Sequence, residues 1–401
     1  MPIITLASAF AYLCGIGGPP LFSMERGKGD EEEAARVMGT CFSLLICMGL
    51  ALTVAGLLLR RPMLYLFGAS DDTFPYANEY MTVYLCGTLF VMISLGMNPF
   101  INSQGFGKIG MMTVFLGAAA NIILDPIFIF AMDMGVTGAA LATVIAQGLS
   151  AIWVMKFLTG PKAILRLKLS CLRMEAERCK KIIALGLSGF FQNMTNSLVQ
   201  VVCNATLQSY GGDLYVTIMT ILNSIREVVV MPIHGLTSGS QPVAGYNFGA
   251  RKYGRVRESV RFSVSTTVIY SAATAVVCIL LPEPLIRIFN DNPEVIAHGV
   301  PAMRIYFSMF AIFALQMSGQ AVFVALGYSK RAIFFALLRK AFINAPLTVI
   351  LPIWMGVTGV FTAEAISQLL GGFASFTTMY FTVYRKMGKL NDGELMPGHH
   401  V

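Results

Sequence analysis

Asn121–Gln147, NIILDPIFIFAMDMGVTGAALATVIAQ, reads as the second half of one membrane helix, a four-residue turn and the start of the next. Asp125 interrupts an otherwise apolar run, and Asn121 lies one helical turn before it, so both side chains share a face. A carboxylate at such depth costs roughly 2.5–3.5 kcal/mol on insertion scales, so it is expected to face a polar interior rather than lipid. The pattern returns in Asn344–Gln368, NAPLTVILPIWMGVTGVFTAEAISQ. The pentapeptide MGVTG stands in both copies, at Met134–Gly138 and Met355–Gly359.

Composition agrees with a membrane protein. Of 401 residues, 56% are hydrophobic and 12% charged, against about 25% charged in a soluble domain. The net charge of +8 sits in short loops between apolar segments, not on a basic face, and so reports orientation rather than nucleic-acid binding. The eight cysteines form no CxxC and no Cys/His cluster, which leaves neither a disulfide framework nor a metal site. No GxxxxGK[ST] motif exists to use ATP, and no Ser/His/Asp or HExxH arrangement points to an enzyme.

Eleven apolar segments follow, at about 2–22, 37–59, 77–101, 110–131, 136–159, 181–209, 213–240, 259–281, 299–326, 332–352 and 357–384. Each is long enough to cross ~30 Å of hydrocarbon as a helix. One alternating set of loops carries Arg26, Lys28 and Arg36; Lys108; the block from Lys156 to Lys181; Arg251, Lys252, Arg255, Arg257 and Arg261; Lys330 and Arg331; and Arg385, Lys386 and Lys389. The other carries at most Arg60, Arg61, Arg287 and Arg304. That bias puts the first set, and the C-terminus, in the cytoplasm.

An internal repeat organises these segments. A shift of 222 pairs Pro20 with Pro242, Gly27 with Gly249, Pro62 with Pro284, Phe67 with Phe289, Tyr84 with Tyr306, Gly105 with Gly327 and Lys108 with Lys330. The shift is 223 at Asn121/Asn344 and 221 at the MGVTG pair and Gln147/Gln368. The expected organisation is an N-terminal lobe at 1–159, a basic cytoplasmic linker loop at 160–180, a C-terminal lobe at 181–386 and a cytoplasmic tail at 387–401. In this alignment the first lobe has five helices and the second six, and the repeat partner of 181–209 is the missing first helix.

Three stretches carry a family resemblance: GLTSGSQPVAGYNFGARKYGRVRE at Gly235–Glu258, LDPIFIF at Leu124–Phe130, and MGVTGAALATVIAQ at Met134–Gln147. With the repeat, the chain resembles the multidrug and toxic compound extrusion (MATE) family of secondary antiporters over essentially its whole length. The resemblance implies an all-α polytopic membrane protein with two pseudo-symmetric helical lobes around a central cavity. It also implies export of cationic or amphipathic compounds driven by inward H⁺ or Na⁺. In some members a cation site joins an Asn and an Asp one turn apart on the fifth helix to a Thr on the sixth and an Asp on the first. Asn121, Asp125 and Thr143 match the first three; the fourth would sit on the missing helix. Other members use carboxylates on the seventh and tenth helices. Here Gln192 stands where such a Glu is expected, and the tenth helix offers Gln316 and Gln320 but no acid.

Individual residues carry two readings each. Asp125 is a coupling-ion ligand or a packing carboxylate beside Pro126. Glu227, with Asn223 one turn before it, meets substrate or a proton, or makes a structural ion pair. Glu364 stands where Thr143 stands in the first copy, with Asn344 matching Asn121 and Thr348 in place of Asp125. It is either a second ion or substrate site or the partner of Arg339 or Lys340. The neutral polar row Gln192, Asn196, Gln200 and Asn204, with Asn193 beside it, fits a wet cavity wall or interhelical hydrogen bonding. Glu31, Glu32 and Glu33, following Asp30, suit a helix N-terminus.

The sequence thus points to a multi-pass protein of the cell membrane. It would act as a monomer in the lipid bilayer and exchange small cationic or amphipathic molecules for H⁺ or Na⁺, with no metal or organic cofactor and no nucleic-acid partner. Two alternatives stay open: a flippase for lipid-linked oligosaccharides, which needs a cationic cavity and has Arg226, Arg339 and Lys340 to offer, and a non-transporting scaffold or decayed transporter.

Overall fold

A computed structural model describes residues 2–66, 71 and 73–396, leaving aside the side chains of 2–6 and 66. Phe67 of the repeat and the histidines at 399–400 lie outside that description. The described residues form helices and their connecting turns, with no strand among them. In order the helices are α1 (Pro2–Lys28), α2 (Glu31–Leu66), α3 (Phe74–Ser103), α4 (Gly107–Pro126), α5 (Gly135–Thr159), α6 (Ala176–Gly249) and α7 (Tyr253–Leu280). There follow α8 (Pro282–Arg287), α9 (Pro293–Phe307), α10 (Phe310–Ala325), α11 (Ser329–Leu337), α12 (Ala345–Ile350), α13 (Pro352–Met355), α14 (Thr358–Met379) and α15 (Arg385–Met387). Three wide π-helical turns, Ile127–Ala131, Leu338–Asn344 and Tyr380–Tyr384, continue α4, α11 and α14.

Every expected apolar segment is helical, but the count of independent spans differs from eleven. Among the described residues seven stretches are long and apolar enough to cross a membrane, or eight if the pair α9 and α10, bent by 43°, is taken as one. Two causes account for most of the difference. The segments 181–209 and 213–240 are two helices within the single range α6, parted at Gly212, whose φ of 65° and ψ of −164° no helix contains, and so count as one stretch. α14, though 22 residues long and about 33 Å at 1.5 Å per residue, is diluted by Glu364, glycines and hydroxyls.

The repeat has a conformational basis. Gly135 and Gly356, the same position of the two MGVTG copies, both have positive φ, at 51° and 59°. Gly105 and Gly327 are likewise left-handed, at 90° and 79°. Glycine is needed where the chain reverses between helices. The second glycine of each MGVTG works differently. A Cβ at Gly138 would come within 2.8 Å of the Phe128 backbone, and one at Gly359 within 2.6 Å of Leu351 and Pro352. Each lets the incoming helix press against the last turn of the one before.

The chain divides into two compact units, Met1–Phe190 and Phe191–Val401. In the first, α3 is central and packs on α1, α2, α4 and α5. Small residues allow the approach: a Cβ at Gly87 would meet Val144 at 2.4 Å, and one at Gly186 would lie 1.9 Å from the Leu13 carbonyl. Phe22 and Phe100 meet edge to face inside it. The basic segment after α5 is fastened to this unit. Gln104 both donates to the Leu165 carbonyl and accepts from its N–H, and Arg178 forms a forked pair with Glu33 at 2.8 Å. Asp30 accepts the Glu33 N–H and caps α2, whose first turn is Glu31, Glu32 and Glu33.

In the second unit α10 packs on α7 and α14, with α9 also against both. A file of rings, Phe307, Phe310 and Phe313, runs through its core at centroid spacings of 5.5 and 5.6 Å. The chain after α15 folds back: Gly393 and Arg251 exchange two hydrogen bonds, and the Tyr253 hydroxyl donates to the Glu394 carbonyl.

Candidate functional site

Each unit holds a polar group built around the same asparagine of the repeat. In the first unit, Asn121 and Asp125 project from one face of α4, where the Asn121 amide donates to the Asp125 carboxylate at 3.3 Å. Thr143 on α5 donates to its own helix, to the Ala139 carbonyl. Tyr80 on α3 lies beside the group, its phenol interacting with the Thr143 hydroxyl. All four are half-buried. Among the described residues Asp125 forms no ion pair, so the carboxylate keeps acceptor capacity beyond the Asn121 amide. The π-turn directly after Pro126 arises where proline cannot donate to the helix and the backbone shifts its hydrogen-bond register.

The second unit answers with an inverted charge. Glu364, 5% exposed on α14, receives Arg339 at 3.2 Å and Lys340 at 3.1 and 3.3 Å. Arg226 of α6 stands 3.5 Å away. The Asn344 amide also donates to this carboxylate, and Gln368 reaches it at 3.4 Å. Thr348, at the repeat position of Asp125, donates to Asn344 at 3.0 Å. Arg339, Lys340 and Asn344 all belong to the π-turn Leu338–Asn344, and that wider turn brings three side chains to one carboxylate. Of the two readings of Glu364, the geometry gives the ion pair, and with three cations rather than one. Such a cluster survives in a low-dielectric interior because every oxygen of the carboxylate is occupied.

This cluster forms one end of a cavity of about 230 Å³ contained in the second unit. Gln192, Asn196 and Gln200 line it, as do Asn223 and Glu227. Asn223 accepts from the Tyr306 hydroxyl at 3.0 Å, while Glu227 is exposed and makes no ion pair among the described residues. Other expected lining residues lie elsewhere. Asn193 is exposed on the neighbouring face of α6, about 100° round from Gln192. Asn204 is half-buried beyond the cavity, one residue past Cys203, which does line it. Gln316 and Gln320 are buried in the packing of α10, at 2% and 6% exposure, because Phe313 and Met317 take the cavity face.

Two participants escaped the sequence reading. Tyr80 belongs to a different helix from Asp125 and carries no local signal beyond its repeat neighbour Tyr84. Phe313 lies under two guanidinium groups, with Arg226 and Arg339 at 5.4 and 5.1 Å from its ring centre. An aromatic one or two turns from a charged residue in sequence would not have revealed this, since both arginines come from other helices.

Comparison with known proteins places this architecture. A family model described as MatE matches residues 1–127 and 189–350. The multidrug export protein MepA of Staphylococcus saprophyticus is 23% identical over 400 residues, 99% of this chain and 87% of that one. The structure of the MATE multidrug transporter DinF-BH, solved as a ligand complex, superposes with a TM-score of 0.88 at 33% identity, covering 98% of this chain and 87% of that one. An outward-facing MATE family transporter of the MOP superfamily superposes at 0.90 with 20% identity, covering 97% and 87%. With the family model covering well over half of its residues, the all-helical, multi-pass chain belongs to the MatE family of membrane transporters.

Proposed function

We propose that this protein is a secondary antiporter of the cell membrane that exports amphipathic compounds, cationic drugs among them, in exchange for H⁺ or Na⁺ held at Asp125. One observation carries the reading: a half-buried carboxylate, steadied by Asn121, has no cation of its own among the described residues. A carboxylate within a membrane helix that lacks a fixed counter-charge is suited to a mobile one. The relatives' names, a multidrug export protein and a multidrug transporter, agree with such cargo.

In this reading the protein acts as a monomer with its C-terminus in the cytoplasm. The coupling ion favours one of two conformations, and that preference alone gives direction to the exchange. The test is flux of ethidium, a cationic amphipathic dye, in proteoliposomes with pH and Na⁺ gradients imposed separately, on the wild type and Asp125→Asn. Flux driven by one gradient and lost in the variant is expected. Undiminished gradient-driven flux in Asp125→Asn would sink the assignment. The oligosaccharide flippase ranks second. It draws on Arg226, Arg339 and Lys340, but a pyrophosphate needs more uncommitted positive charge than these leave after Glu364 and Glu227.

A further inference from the structure

The cavity of the second unit has a charge count that its own residues do not close. Its charged lining consists of Arg226, Arg339 and Lys340 against Glu364 and Glu227, a formal excess of one positive charge. Glu364 already serves as the single buried acceptor for all three cations. Glu227 is exposed and lies beyond ion-pair distance of them. Like charges crowded in a poorly screened interior repel, and one carboxylate does not cancel three cations.

The donors are also incompletely used. The Nε atoms of both Arg226 and Arg339 are buried without a hydrogen-bond partner. Yet the two guanidinium groups are held still, sharing the Phe313 ring. Planar guanidinium forks fixed in a cavity wall are what a carboxylate or phosphate oxygen requires. The remaining wall is mixed: the amides of Gln192, Asn196, Gln200 and Asn223 stand beside apolar Val199, Met219, Val230 and Met317.

From these features we propose that this cavity binds the anionic head of a small amphipathic ligand, a monoanionic carboxylate, sulfonate or phosphate joined to an apolar body. At about 230 Å³ the space lies below the range that encloses a drug-sized molecule, so it takes a small anion whole or a larger one by its head. The site goes beyond the cation-coupled export argued above and stands without it, because binding is measurable at equilibrium with no gradient present.

The test is equilibrium binding of radiolabelled 1-naphthoate to the full chain in phosphatidylcholine nanodiscs, with empty discs subtracted. The uncharged 1-naphthamide serves as competitor of equal body. Saturable binding of one naphthoate per chain is expected, with naphthamide competing at least about tenfold more weakly. Arg226→Gln should weaken naphthoate about tenfold. Glu227→Gln, at an exposed position that folding does not depend on, should tighten it by about threefold. Discs containing phosphatidylglycerol separate the sources: displacement of naphthoate assigns the head to a lipid phosphate, and undisturbed binding assigns it to a soluble anion. Equal affinity for naphthoate and naphthamide, or indifference of a folded Glu227→Gln and Arg226→Gln pair, would overturn the proposal and leave the cluster a packing device.

Discussion

Asn121 and Asn344 hold the same place in the two units, yet they serve carboxylates of opposite circumstance. In the first unit the acid is Asp125, one turn along the same helix, half-buried and without a cation among the described residues. In the second, threonine has taken that position and the acid has moved to Glu364 on the following helix, where three cations hold it. The difference teaches that one duplicated scaffold can carry both a carboxylate without a fixed counter-charge and a carboxylate held by three cations. The switch needs only the transfer of one carboxylate between adjacent helices and the arrival of basic residues on a π-turn. The first unit leans instead on close helix crossings at glycine, of which Gly186 against Leu13 is the tightest.

The comparison breaks most readily at Glu364. Glu364→Ala strands the buried Arg339 and Lys340 and the half-buried Arg226, and should destabilise the protein by about 3–5 kcal/mol, read as chemical unfolding in detergent or as loss of the folded peak on size exclusion. A variant within about 1 kcal/mol of wild type would show that the cluster does not hold the second unit together. Gly186→Val probes the other unit's manner of packing. Its side chain would collide with backbone rather than a movable side chain, so a cost of about 1–3 kcal/mol is expected in the same assay.

Asp125→Asn should separate the two groups by function. Because Asp125 is half-buried and already hydrogen-bonded to an amide, the variant should unfold within about 1 kcal/mol of wild type. Gradient-driven ethidium flux, by contrast, should fall by at least about tenfold. The smallest expected effect is at Tyr80→Phe. Losing one hydroxyl beside Thr143 and Asp125 should raise the ion concentration needed for half-maximal flux by about threefold. An unchanged ion dependence there would restrict the group to α4 and α5.

Much of this was readable along the chain, for specific reasons. Helices announce themselves by apolar length, and a left-handed turn requires glycine, so the MGVTG copies and the Gly105/Gly327 pair reveal the duplication directly. Asp125 and Asn121 are neighbours on one helix, and the 3.6-residue period is enough to pair them. Arg339 and Lys340 could be named as partners of Glu364 because the repeat brings their helices together. Gln316 and Gln320 misled because a polar residue in a membrane helix signals only that it avoids lipid; it does not say whether it meets a cavity or another helix.

The sequence by itself determined the membrane class, the helical segments, the repeat and the carboxylate of the first unit. Each follows from local period, composition or backbone conformation, which neighbouring residues fix among themselves. Only the tertiary structure decided that Tyr80 lies beside Thr143, that Arg226 joins Arg339 and Lys340 around Glu364, and that Phe313 lies beneath two of them. Those meetings depend on the rotation and depth of helices far apart in the chain. Rotation and depth are set by packing over whole helix faces, and no short stretch of sequence records them.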